Sequence, residues 1–137
     1  MGRMPRQPLA VYKSRPFARF QRKARISDAD LLQAAKAAEQ GLIDADLGGG
    51  VIKQRIARAG EGKSGGSRSI IFFRRGDRLV YVYGFEKKDR ANIRLDELDA
   101  FRELARVVLG YTEAEIAQRV RDGALLQVGP SGEEGNA

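Results

Sequence analysis

Three runs decide the fold: VIKQRIAR (51–58), SRSIIFFR (67–74) and LVYVYGF (79–85), joined by glycine-containing connections. Each run is rich in Val, Ile, Phe and Tyr, and the first sets Ile52 and Ile56 against Lys53 and Arg55 with the two-residue period of a strand. Arg75-Gly76-Asp77 is a tight hairpin, while Gly60, Gly62, Gly65 and Gly66 around Lys63 and Ser64 predict a longer mobile loop. Three consecutive strands joined in this way predict an antiparallel meander. Gly62-Lys63-Ser64 is no phosphate-binding loop, because the earlier glycine such a loop needs is missing and the segment joins two antiparallel strands.

Working outward, residues 1–8 predict a flexible basic arm and Leu9–Lys13 a short strand. Pro16 suits the first turn of a helix, where its missing N–H costs nothing, and Phe17 with Phe20 gives that helix an apolar stripe through Lys23. Ser27 reads as an N-cap, with Asp28 and Asp30 at the positive end of the helix dipole. Leu31, Leu32, Ala35 and Ala38 keep helical spacing up to Gly41, so residues 15–41 predict a helical hairpin. Leu47–Gly50 reads as a turn. Beyond the strands, Leu95, Leu98, Phe101, Leu104 and Val108 form a helical stripe ended by Gly110. Thr112 with Glu115 forms a capping box for a helix through Ile116 and Val120. Leu125–Val128 is a last short strand, and residues 129–137 predict a disordered tail. The fold class is α+β: one domain over residues 9–128, with the helices packed on one face of an antiparallel sheet.

Composition narrows the function. The chain of 137 residues has no cysteine and no histidine, which removes disulfides, thiolate metal sites and the usual acid–base residue. No apolar run is long enough to span a bilayer and the basic N-terminus lacks a secretory apolar core, so a cytoplasmic protein without membrane contact is expected. The net charge of +7 is clustered. Residues 1–25 carry eight Lys/Arg and no acid, and residues 51–90 carry eleven Lys/Arg against four acids, whereas 26–50 and 91–137 are each net −4. Such clustering points to a polyanionic partner, nucleic acid or ribosome. On the free face of the sheet, Lys53, Arg55, Arg68 and Lys88 are expected to converge. Phe72, Tyr81 and Tyr83 fall inside predicted strands and read as core or sheet-face residues.

Residues 48–93, GGGVIKQRIARAGEGKSGGSRSIIFFRRGDRLVYVYGFEKKDRANI, resemble a branch of the RelE/HigB toxin superfamily. The match lies in the Gly-Gly-Gly-Val turn before a Lys-x-Arg strand, the Gly-x-Gly-Lys-Ser-Gly-Gly loop followed by Arg68, Tyr83-Gly84-Phe85 with Lys87, and Arg90-Ala91-Asn92-Ile93. The resemblance implies a RelE-like fold and the toxin of a type II toxin-antitoxin system, a ribosome-dependent mRNA endonuclease that inhibits translation. It implies a cut made without metal or cofactor, by attack of the 2′-OH on the adjacent phosphate. It also implies a cognate antitoxin, expected to be of the helix-turn-helix type. The positions matching the family's catalytic cations are Lys53, Arg55, Arg68 and Lys88, with Lys63, Lys87, Arg90 and Arg94 expected to bind RNA. Crowded cations and partial burial lower a lysine pKa, which suits Lys53 to the general base. Arg68 has the fork that matches charge building on the phosphate, Arg55 clamps the backbone, and Lys88 assists the leaving oxygen or binds phosphate. Arg94 stands where several relatives carry an aromatic, which leaves the general acid unassigned. Two other readings fit the chain: a ParE-like toxin acting on DNA gyrase, and a non-catalytic basic RNA-binding module.

Overall fold

Ile70-Ile71-Phe72, in the middle of the second long run, are all fully buried, and a strand whose neighbouring side chains are all buried must be covered on both faces. The computed structural model, which describes residues 9–57 and 66–129, shows how. The expected basic arm, most of the glycine loop with Arg58 and Lys63, and the tail from residue 130 lie outside the described residues. In chain order the elements are β1 (Ala10–Ser14), α1 (Arg15–Ala24), α2 (Asp28–Glu39), β2 (Ala45–Gly48), β3 (Val51–Ile56), β4 (Ser67–Arg74), β5 (Arg78–Glu86), α3 (Leu95–Leu109), α4 (Glu113–Asp122) and β6 (Leu125–Val128). They form a six-stranded sheet in the order β2-β3-β4-β5-β1-β6, antiparallel except where β1 runs parallel to β5.

The α+β class, the β3-β4-β5 meander, the helical hairpin and the last strand are as the sequence implies. The covering of the sheet is not. Ile52, Ile56, Ile71 and Tyr81 pack with Phe17, Leu31 and Ala35 of α1 and α2. Val51, Ile70, Phe72 and Val80 pack with Ala105, Leu109 and Ile116 of α3 and α4. The helices therefore lie on both faces rather than one, the hairpin on one and the C-terminal pair on the other. The uninterrupted apolar run in β4 requires this. Two further corrections are smaller. Leu47 and Gly48 belong to β2, an edge strand whose four residues are too short to show a period. In α3, Leu95 and Leu104 are 80% and 48% exposed, so the face turned to the sheet is that of Phe101, Ala105 and Leu109, at i, i+4 and i+8.

Local chemistry sets the helix ends. Ser27 Oγ accepts from Asp30 N while Asp30 Oδ2 accepts from Ser27 N, both at 3.0 Å, and Thr112 and Glu115 repeat the arrangement on α4. The last carbonyls of α3 are met by arginines of the β4–β5 hairpin: Arg78 Nη1 donates to Val108 O at 2.9 Å, and Arg74 donates to Leu109 O. The hairpin helices are locked to the sheet by polar contacts as well. Lys13 Nζ on β1 donates to Gln21 Oε1 at 2.7 Å and to Asp28 Oδ1 at 3.0 Å, and Gln21 Nε2 donates to the same Asp28 oxygen at 2.8 Å. Burial pushes the Asp28 carboxyl up, but the hydrogen bonds from Gln21 and Lys13 outweigh it and hold its pKa below the usual value. Gly84 shows how closely α1 approaches: a Cβ there would lie 2.2 Å from the Phe20 ring.

Candidate functional site

Along β3, Val51, Lys53 and Arg55 alternate with Ile52, Gln54 and Ile56. The even set enters the hairpin core, where the Gln54 amide donates to Ala34 O and Leu42 O. In the odd set Val51 is buried with α3, whereas Lys53 and Arg55 continue on the same face and remain half-buried. The strand register then builds two rows: Lys53–Ile70–Tyr83 and Arg55–Arg68–Phe85. At a strand spacing of about 4.8 Å, the backbones at the two ends of a row are about 10 Å apart. Three of the four expected catalytic cations, Lys53, Arg55 and Arg68, thus share one end of one sheet face.

Tyr83 joins them because β5 carries an irregularity. Ile71 pairs with Tyr81, yet Ile70 pairs with Tyr83, leaving Val82 as an extra residue that reverses the alternation. Tyr81 therefore faces the hairpin, fully buried, with its hydroxyl donating to Leu31 O at 2.6 Å and its pKa pushed up by burial. Tyr83, two residues on, faces the cations. Its ring lies 6.0 Å from that of Phe85 and 5.8 Å from that of Phe101 on α3, and its oxygen accepts from Arg90 Nη1 at 3.0 Å.

Arg90 is held in turn by Glu97 at the start of α3, which accepts from both terminal nitrogens at 3.2 and 2.5 Å. That guanidinium, together with the backbone N–H of Arg94, holds the Glu97 carboxyl down at about 2. Arg90 Nε also donates to Asn92 O at 3.0 Å, and the side-chain oxygen of Asn92 accepts from Lys53 Nζ at 3.5 Å. The segment after β5 thus links Lys53 to the Tyr83 hydroxyl through Asn92 and Arg90. Arg68 is fixed from the other side: its Nε lies 3.3 Å from Asp44 Oδ2, and its Nη1 donates to Ser67 O at 3.4 Å.

The remaining cations do not belong to these two rows. Lys87 N donates to Gly66 O at 2.6 Å and extends the β4–β5 ladder by one residue. Lys88 is exposed in the turn that follows, and Arg94, 67% exposed, sits at the start of α3 with Nε 3.0 Å from Asp96 Oδ1. Lys63 lies outside the described residues. Sequence reasoning gave Tyr83 a core or sheet-face place, and it packs against the α3–α4 core, but the reasoning did not set it beside the cations, nor find Asp44 and Glu97 as the carboxylates that fix the arginines. A hint of the first is that Val80 and Phe85 have opposite parity, so both can enter the α3–α4 core only if the strand changes phase between them.

The groups gathered here suit a phosphate: forked and point-charge donors on a rigid strand floor, a phenol among them, and a lysine whose side chain meets the neutral amide of Asn92. The family model described as the RelE toxin of the RelE/RelB toxin-antitoxin system matches residues 9–128. No curated protein matches the chain.

Proposed function

The chain belongs to the RelE toxin family, the toxin half of a toxin–antitoxin pair, and from that premise we propose that it is a ribosome-dependent mRNA endonuclease working on the cationic end of its sheet. The observation that carries this reading is the pair of rows that sets Lys53, Arg55, Arg68 and Tyr83 on one open end of one face.

In this reading Lys53 takes the proton from a 2′-OH. The oxygen attacks the adjacent phosphorus, the bond from phosphorus to the 5′-oxygen breaks, and the products are a 2′,3′-cyclic phosphate and a 5′-OH. Arg68 meets the charge that builds on the phosphate oxygens, and its ion pair with Asp44 holds the guanidinium in place before substrate arrives. Preorganised donors of this kind are worth roughly 2.7–4 kcal/mol each. Arg55 clamps the neighbouring backbone. Because Arg90 donates to the Tyr83 oxygen, the phenol's own proton is directed elsewhere, and Tyr83 gives it to the leaving 5′-oxygen. Lys88, with Lys87 and Arg94, binds flanking phosphate. A helix-turn-helix antitoxin silences the protein by covering this surface.

The test is cleavage of mRNA on translating ribosomes by the purified chain. Wild type should leave 2′,3′-cyclic phosphate ends, and Lys53→Ala should lose about 10²–10⁴-fold in rate while keeping the native circular-dichroism spectrum. Equal cutting by wild type and variant would remove Lys53 from the mechanism.

A further inference from the structure

β5 is longer than its neighbour on the side away from β4. Pairing with β1 ends at Lys13↔Tyr81, and beyond it Ser14 closes the contact by donating to Val82 O at 3.3 Å. From Tyr83 to Glu86 that edge of β5 has no strand partner among the described residues. α1 crosses beside it and leaves a cleft of about 1220 Å³, larger than the ~300–1,000 Å³ of a typical small-molecule pocket. Phe20, Lys23 and Arg25 line it from α1 and its end, and Lys87, Lys88 and Arg90 from beyond β5, where the Glu86 and Asp89 carboxylates also border it. Tyr83 and Phe85, from the two rows of the site, also line it, so the cleft is continuous with the site.

Two details mark the cleft. Among the described residues no carboxylate lies within ion-pair distance of Lys23, Arg25, Lys87 or Lys88, whereas Arg74 and Arg78 at the other end of the sheet are tied to Asp77 and Glu113. Arg25 ends α1 with φ 60°, and among the described residues it is the sole non-glycine in the left-handed region. Glycine is the usual residue at such a helix end, so the arginine is not what the backbone asks for.

We propose that this cleft is a binding groove for single-stranded RNA, carrying the strand off the sheet face, around the free edge of β5 and along the end of α1. Lys23 and Arg25 take phosphates beyond the scissile one, and Phe20 offers an aromatic edge beside the path. Unpaired cations tracking a backbone, interleaved with aromatic rings, suit a single strand of any sequence. The proposal rests on the reading of the sheet face as an RNA-cutting site, and it adds a path and a wall of the groove that this chemistry does not itself require.

The test uses the full chain and fluorescein-labelled 2′-O-methyl RNA, which cannot be cut, about twelve and about three nucleotides long. Anisotropy gives Kd across a salt series for wild type and for Lys23→Gln with Arg25→Gly, a pair chosen because glycine suits the left-handed backbone. The double variant should bind the long strand roughly tenfold more weakly, with the slope of log Kd against log salt lower by about 1.4, for two phosphates at ~0.7 each. Binding of the short strand should be unchanged. Unchanged affinity and slope for the long strand would overturn the groove, as would a variant that keeps its RNA affinity but loses the antitoxin complex, which would assign the cleft to a protein strand. Arg68→Ala, assayed for ribosome-dependent cleavage alongside, separates the two ideas: if it cuts like wild type the sheet-face reading fails, whatever the groove variant does.

Discussion

The two ends of one sheet face, built by the same strands, have opposite characters. Where α3 and α4 cover it, Val51, Phe72 and Val80 are fully buried among Ala105, Leu109 and Ile116. Two to four residues along the same strands, and on the same side, stand Lys53, Arg55, Arg68 and Tyr83. Cover makes the difference, because α3 crosses β3 and β4 at the covered end. The covered end anchors strand positions rigidly, and the open end uses them to hold charges that a loop would hold less firmly. Substitutions should therefore divide sharply, stability on one side and chemistry on the other.

The largest effect is expected at the covered end. Phe72 is fully buried and meets Phe101 edge to face at 6.4 Å, so Phe72→Ala should cost about 3–5 kcal/mol in urea unfolding. A loss below ~1 kcal/mol would mean that α3 does not press on the sheet there. At the open end the same strand should behave in the reverse way. Arg68→Ala should lower cleavage about 10²–10³-fold, yet shift the unfolding free energy by no more than ~1 kcal/mol, because its pair with Asp44 is partly exposed. Tyr83→Phe keeps the ring against Phe85 and Phe101 and removes only the hydroxyl. Its cleavage rate should fall about 10²-fold with RNA affinity unchanged, whereas a fall in affinity instead would make Tyr83 a binding residue.

The smallest expected effect lies on the other face of the sheet. The Asp28 carboxyl has a lowered pKa in the folded chain, so its contribution is present above the unfolded value near 3.8 and is lost as pH falls through the folded one. Lys13→Met removes one of the hydrogen bonds that lower it. The variant should lose less than ~1 kcal/mol near neutral pH, and its stability should fall less steeply than wild type in the acid range. Parallel acid curves for the two proteins would show that Lys13 does not set the Asp28 titration.

Much of this was legible in the residues. Ser27 with Asp30 and Thr112 with Glu115 announce helix starts because capping is local chemistry, and the alternation in VIKQRI places Lys53 and Arg55 together without any tertiary information. What was hidden depends on contacts between distant segments. β2 has too few residues to display a period, and β1 pairs with β5 across most of the chain. The change of phase at Val82 appears only when β5 is laid against β4, and it decides on which face of the sheet Tyr83 lies. Asp44, Asn92 and Glu97 become partners of Arg68, Lys53 and Arg90 only after folding. The apolar run Ile70–Phe73 did carry the signal that both faces are covered.

Cutting of mRNA by the open end of the sheet is tested by mapping RNA ends in cells within the first minutes after expression of wild type and of Lys53→Ala without antitoxin. Wild type should leave new 2′,3′-cyclic phosphate ends within translated regions, lost when translation is blocked and absent for Lys53→Ala. Intact mRNA accompanied by gyrase-linked DNA breaks, or the same ends from both proteins, would contradict it.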